Sequence, residues 1–147
     1  MDELDLKLIS LLQRDGRASN ASLARHMGVS EGTIRRRLRR LMNDGVLKIL
    51  AVPEPAKMGF NTIALIGIQA DPDKVEEVSS SLSSLKEARY VAITTGSFDI
   101  FLWVALGSSE ELGKFLRQRV GPIPGIRRTE TFVNLAIRKQ DFGLVGQ

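Results

Sequence analysis

Residues 28–45 read GVSEGTIRRRLRRLMNDG, and the interpretation of this stretch decides the first third of the chain. Ser30 is a helix N-cap and Gly45 a left-handed stop, so a helix is expected between them. Ile34, Leu38 and Leu41 recur at i, i+4 and i+7, giving one narrow apolar stripe. At about 100° per residue, Arg36, Arg39 and Arg40 point away from that stripe, Arg35 lies on a flank and Arg37 sits near its edge. Five arginines in six positions opposite a thin apolar seam suit an anionic partner. The blander reading is a solvated basic face.

The preceding residues specify the anion. Asp2 caps a first helix carrying Leu4, Leu8, Leu11 and Leu12, Asp5 adds negative charge to its first turn, and Asp15-Gly16 ends it. Ser19 or Asn20 caps a second helix with Leu23, Ala24 and Met27 inward, and Gly28 stops it. Gly28-Val29-Ser30 is then a three-residue turn between two helices. That is a helix-turn-helix, whose second helix enters the major groove of duplex DNA. The apolar segment Val46–Val52 follows, up to Pro53-Glu54-Pro55, and is expected as a wing or interface strand. The single histidine, His26, lies beside Arg25 and is read as structural or as a phosphate contact.

Charge agrees with this division. Residues 1–60 hold 11 Lys and Arg against 7 Asp and Glu, whereas residues 61–147 hold 10 of each, so the whole net charge of +4 lies in the first part. A basic module joined to a neutral one suits DNA binding plus a separate regulatory or assembly domain. The absence of cysteine excludes disulfides and thiolate metal sites and fits a reducing cytosol. The longest apolar run, Ile100–Leu106, is far too short for a bilayer. The acidic N-terminus enters helix pattern at once, so no signal peptide is expected and the location expected is cytoplasmic.

The second part alternates strand, helix, strand, strand, helix, strand. Thr62–Ala70 is an extended apolar run. Asp71-Pro72 is expected to open a helix in which Val75, Val78, Leu82 and Leu85 face inward. Arg89–Thr95 and Ile100–Leu106 are strands flanking the turn Gly96-Ser97-Phe98-Asp99. Ser108 and Glu111 form a capping box for a helix with Leu112, Phe115, Leu116 and Val120 inward, stopped by Gly121-Pro122. Gly125–Lys139 holds the last strand, and the short tail beyond it is expected to be loosely held. The fold class expected is α+β, a winged helix-turn-helix over residues 1–52, a linker over 53–61, and a ferredoxin-like βαββαβ domain over 62–147.

A sheet with helices on one face and water on the other should alternate. Ile100–Leu106 and Ile63–Ile68 do not. Both faces therefore need cover, and the sheet of a second subunit is the expected one, with the chain's own tail or wing as the alternative. A dimer also provides the two-fold axis of half-site recognition.

In this order the two modules and their linker resemble the Lrp/AsnC (feast/famine) family of transcription regulators. The resemblance is carried by Leu4-Asp5, Leu12–Arg17 with Ser19-Asn20, Ala24–Ser30, Arg36–Leu41, Gly45–Leu47, Lys57–Phe60, Thr95–Asp99 and Pro124–Thr131. It implies a homodimer that assembles further into tetramers or octamers, and a second module that binds a small effector, commonly an amino acid, near the turn at Gly96–Asp99 and the last strand. The residues suit that ligand. Backbone N–H groups of Gly96, Ser97 and Phe98 can receive a carboxylate as a nest does, Asp99 can pair with an ammonium, and Thr129 and Thr131 can complete the hydrogen bonds. The alternative is a plain hairpin turn with Asp99 bonding its own backbone. Arg127 and Arg128 fit either a pocket or a surface. Two departures stand out: the sequence enters the first helix at once, so extra pairing between DNA-binding modules across the dimer is not expected, and the linker carries two prolines.

The DNA-binding set expected is Ser19, Asn20, Arg25, Ser30, Glu31, Thr33, Arg35, Arg36, Arg39 and Arg40. Arg36 and Arg40, with Thr33, face the major groove; Arg36 is the better candidate for a bidentate contact to guanine, Arg39 and Arg40 suit phosphates, and Arg37 belongs to the protein's own packing. No catalytic residue, metal or cofactor is expected. Tetrapyrrole decarboxylases of similar architecture use histidine and arginine around a large pocket, whereas the only histidine here lies in the DNA-binding module. A nucleoid-packing protein remains the other reading, because it would use the same arginines.

Overall fold

The computed structural model describes residues 1–141, in two compact units. The first comprises residues 1–52 together with residues 139–141, and the second comprises 53–138. The described residues 139–141 thus group with the N-terminal unit, not with the second domain expected over 62–147. The expected tail lies mostly outside the described residues.

The N-terminal unit holds α1 (Glu3–Arg14), α2 (Asn20–Met27) and α3 (Glu31–Asn43). Each N-cap side-chain oxygen accepts from a backbone N–H of the first turn: Asp2 from Asp5, Ser19 from Ser22 and Ser30 from Thr33. At Asp2 the bond is reciprocated, since the Asp5 carboxylate accepts from the Asp2 N–H at 3.0 Å. Gly28 takes a left-handed conformation at φ 68°, which turns the chain between α2 and α3 at no steric cost. The end of α3 is a Schellman motif, with Val46 N–H on Leu41 O at 2.9 Å, Gly45 N–H on Met42 O at 3.1 Å, and Gly45 at φ 69°. Leu8, Ile9, Leu12, Leu23, Ala24, Met27, Ile34 and Leu41 form the buried core, with Leu38 half-buried at its margin.

The expected wing does not form. Residues 47–52 join no sheet among the described residues, because a strand exists only by pairing and the described part of the unit contains no other strand. Val46, Ile49, Leu50 and Val52 stay exposed, Leu50 at 74%.

The second unit begins with a short 3-10 turn at Pro55–Met58 and continues as β1 (Thr62–Ala70), α4 (Val75–Ser83), β2 (Ala88–Ile93), β3 (Ile100–Leu106), α5 (Ser109–Phe115), a π-turn at Leu116–Val120 and β4 (Ile126–Val133). The sheet is antiparallel in the order β2-β3-β1-β4. Helix α4 starts later than expected. Asp71 N–H is tied to the Gly125 carbonyl at 2.8 Å and its own carbonyl closes a turn on Lys74, so Asp71 belongs to the strand end and Lys74 becomes the cap. The capping box at Ser108 is displaced too: Ser108 accepts from Glu111 N–H, but Glu111 reaches back to Gly107 N–H.

Register divides the apolar strands into two faces. Ala64, Ile66, Ile68, Ile100, Leu102 and Val104 are fully buried beneath Val78, Leu82, Leu112 and Phe115. Ile63, Leu65, Phe101 and Trp103 take the opposite face and are only half-buried, while Tyr90 and Phe132 beside them are exposed. The helices of this unit leave that second face without cover.

Candidate nucleic-acid interface and effector turn

Helix α3 shows solvent a continuous polar surface. Glu31, Gly32, Arg35, Arg36, Arg39 and Arg40 are exposed and Thr33 is half-buried. Among the described residues Arg35, Arg36 and Arg39 have no ion-pair partner, so three guanidinium groups stand free along the helix. The side chains at its start are already engaged. Ser30 Oγ accepts from Thr33 N–H at 3.2 Å and lies 3.0 Å from Thr33 Oγ1. Ser19 Oγ accepts from Ser22 N–H at 3.1 Å. Each serine thereby fixes a helix N-terminus, where free N–H groups and the helix dipole suit a phosphate. Asn20 is half-buried at the same end of α2, whereas Arg25 is exposed on its last turn. His26 Nδ1 donates to the Ser22 carbonyl at 2.9 Å, a bond internal to α2.

The remaining two arginines face α1. Arg37 Nη1 lies 2.8 Å from both Asp2 and Asp5, and Arg40 Nη2 lies 2.5 Å from Asp5 Oδ2. Asp5 is enclosed, with 1% of its side chain exposed, against 16% for Arg37 and 50% for Arg40. The Asp5 backbone N–H and the Arg37 guanidinium hold the Asp2 carboxyl down at about 2. Burial pushes the Asp5 carboxyl up, but the Asp2 N–H, Arg37 and Arg40 outweigh it and leave it below the ordinary range. The hydrogen bonds to Asp2 and then Asp5 raise the Arg37 guanidinium in turn. Arg37 thus serves the protein's own packing, as its position at the edge of the stripe indicated. Arg40, expected on phosphate, is instead bonded to a buried carboxylate, because residues 37 and 40 stand one turn apart on the flank that meets the start of α1. No local signal marks this pair; a capping aspartate reads the same whether or not arginines approach it.

In the second unit the turn Gly96–Asp99 folds onto the uncovered face of the sheet. Phe98 meets Phe101 and Phe132 edge-on, with centroids 5.6 and 6.3 Å away. Gln69 Nε2 donates to the Ser97 carbonyl at 2.8 Å. The N–H groups of Gly96, Ser97 and Phe98 have no acceptor among the described residues, and Gly96 takes φ 104°, so a short run of free donors is present. Asp99 has a different role from the one expected. Its N–H bonds the Ile68 carbonyl and its Oδ2 accepts from Ala70 N–H at 2.9 Å, where the β1–β4 register shifts. Thr129 and Thr131 do not join the turn. They stand opposite Ile68 and Ile66, whose side chains take the helix face, so the sheet separates both threonines from Phe98. Arg127 approaches Asp71 at 3.7 Å and Arg128 approaches Glu130 at 3.5 Å, both on the surface.

Among the described residues no group of three or more histidine, cysteine or acidic side chains is placed to hold a metal ion, and no helix is long and apolar enough to cross a membrane.

Comparison with known proteins also finds two modules in this order. Residues 1–42 match the AsnC-type helix-turn-helix domain, and residues 63–144 match the Lrp/AsnC ligand binding domain. An HTH-type transcriptional regulator from Pyrococcus furiosus is 38% identical over 146 residues, 99% of each chain. The HTH-type transcriptional regulator FL11 of Pyrococcus horikoshii is 36% identical over 141 residues, 95% of this chain and 93% of its own. The structure of AsnC from E. coli superposes with a TM-score of 0.88 at 27% identity, covering 95% of both chains. A transcriptional regulator of Neisseria meningitidis in complex with L-methionine shares the fold at a TM-score of 0.91 and 22% identity, covering 98% of this chain and 96% of its own. With a helix-turn-helix unit ahead of a four-stranded effector-domain sheet and relatives of this kind along its whole length, the chain belongs to the Lrp/AsnC family of transcriptional regulators.

Proposed function

We propose that α3 reads a specific operator in the major groove, with Arg36 on base edges beside Thr33, Arg35 and Arg39 on flanking phosphates, and Ser19, Asn20, Arg25, Ser30 and Glu31 lining the approach. The observation that carries this reading is the set of three unpaired arginines on the exposed face of α3, delivered by the turn at Gly28–Ser30. A bidentate contact to guanine discriminates by about 1–3 kcal/mol, and a phosphate contact discriminates not at all. The experiment is operator selection from random duplexes, followed by competition with random DNA for the unaltered chain and for Arg36→Ala. The expected result is a selected sequence whose preference collapses in Arg36→Ala. Equal affinity for all duplexes would assign the chain to DNA packing instead.

The effector proposed is an amino acid whose carboxylate binds the free N–H groups of Gly96, Ser97 and Phe98. Asp99 serves there as scaffold, holding the turn to β1. The Lrp/AsnC ligand binding domain match supports this reading, and L-methionine, bound by the Neisseria relative, is the natural first probe. Binding to the folded state raises stability by mass action, so a thermal-shift series over the amino acids identifies the effector. The half-exposed sheet face supports a homodimer, with tetramers or octamers as the larger assembly. Cytoplasmic location and the lack of a catalytic activity complete the proposal.

A further inference from the structure

The arginine helix carries five guanidinium groups, but two of them meet two carboxylates within hydrogen-bonding distance. Asp2, Asp5, Arg37 and Arg40 form a neutral cluster joining the first turn of α1 to α3 across more than 30 residues of chain. Its geometry is not that of a contact optimised for stability alone, since Arg37 Nε is buried without a partner. Burying ionised groups repays their desolvation only when every donor is satisfied. The cluster does set how much charge the helix offers to DNA. Arg40 is half-exposed on the same helix as Arg36 and Arg39, one position beyond Arg39, and would reach for phosphate if it were free.

We propose that Asp5 is a positioning residue of the DNA interface that withholds Arg40 from the phosphates, so that α3 engages DNA with three arginines and not four or five. The inference rests on the reading of α3 as the DNA-facing helix. Withholding a cation lowers affinity for every duplex equally, because phosphate contacts carry no sequence information. The ratio of operator to random affinity is then unchanged, and what falls is the absolute affinity for both, with the contacts of Arg36 kept. Asp5 therefore sets the strength and salt dependence of DNA binding without touching DNA.

The test is the salt dependence of binding to a random-sequence duplex, measured per subunit on the full chain. Each phosphate contact adds about 0.9 to the slope of log affinity against log salt concentration. Arg40→Ala is expected to keep the slope of the unaltered chain, Asp5→Asn to steepen it by about 0.9, and Asp5→Asn with Arg40→Ala to restore it. A slope lowered by Arg40→Ala alone, or left unchanged by Asp5→Asn, overturns the proposal. Arg40 is half-exposed, so its replacement decides the question even where Asp5→Asn fails to fold. Arg39→Ala in the same assay separates the two readings. If Arg39→Ala also leaves the slope unchanged, the DNA-facing assignment of α3 falls; if only the Arg40 result departs from expectation, the role of Asp5 alone falls.

Discussion

The ring of Phe98 lies directly on Gly67: a Cβ at Gly67 would come within 2.8 Å of the ring carbons. Gly67 faces Phe101 across the β1–β3 ladder and Glu130 across β1–β4, so the glycine opens a seat for the turn in the middle of the sheet. Gly67→Ala is expected to lift Phe98 and destabilise the second unit by about 1–3 kcal/mol, the range of an overpacked contact. Thermal denaturation reads the loss, and Gly67→Ala with Phe98→Leu should recover part of it. An unchanged melting temperature for Gly67→Ala would show that the turn does not depend on this seat.

Asp99 holds the same turn through a different bond. Removing the acceptor of Ala70 N–H by Asp99→Ala should cost about 1–3 kcal/mol, whereas Asp99→Asn keeps an oxygen in place and should cost less. If Asp99 paired with an effector ammonium instead, Asp99→Asn would abolish the ligand-induced thermal shift while leaving the unliganded melting temperature alone. Comparing both variants with and without amino acid separates these roles.

Acid should weaken the N-terminal unit first. Asp2 is lowered to about 2, and Asp5 is lowered as well. A depressed carboxylate stabilises the fold above its unfolded value of about 3.9 and loses that contribution as pH falls through the folded value. The helical circular dichroism of the unit should therefore be steady above about pH 5 and decline towards pH 2. Asp2→Asn should flatten that decline. An identical acid transition in Asp2→Asn would remove the cluster as its cause.

Ser30 caps the recognition helix, and Ser30→Ala should cost about 1 kcal/mol by stranding Thr33 N–H. Ser30→Asp keeps the cap but places a negative charge where a phosphate is proposed to approach. Its stability should match the unaltered chain while its DNA affinity drops. Equal affinity for both would place the phosphate elsewhere.

Phe132 is 44% exposed on the sheet face that the helices leave open. Phe132→Asp is expected to lower the assembled mass in sedimentation while the monomer stays folded, at the cost of the edge-on contact with Phe98. Retention of the full assembly would require the dimer to use another surface.

The helices of the first unit were legible because their signals are local. Ser19, Gly28 and Ser30 each act within four residues, and the stripe of Ile34, Leu38 and Leu41 needs no partner to be seen. The two-faced sheet was legible from the absence of alternation in Ile100–Leu106. Contacts between distant segments were not. Asp5 and Arg40 are 35 residues apart, and Asp99 finds Ala70 29 residues away. Nothing in a capping aspartate or a turn aspartate distinguishes a carboxylate that waits for a ligand from one already satisfied. The late start of α4 has the same origin, since Asp71 would cap a helix if Gly125 did not hold its N–H. Thr129 and Thr131 were misplaced for a different reason: which side of the sheet a strand residue faces depends on register, and one position decides it.

Residues 47–52 carry backbone donors and acceptors that no described residue pairs in a ladder, next to apolar side chains open to water. If a second copy completes this segment, part of each subunit's folding free energy is supplied only on association. Melting temperature should then rise with protein concentration. Dilution would then cost each subunit stability with no change in its sequence or ligand, so the amount of protein present would itself set how much of it is folded.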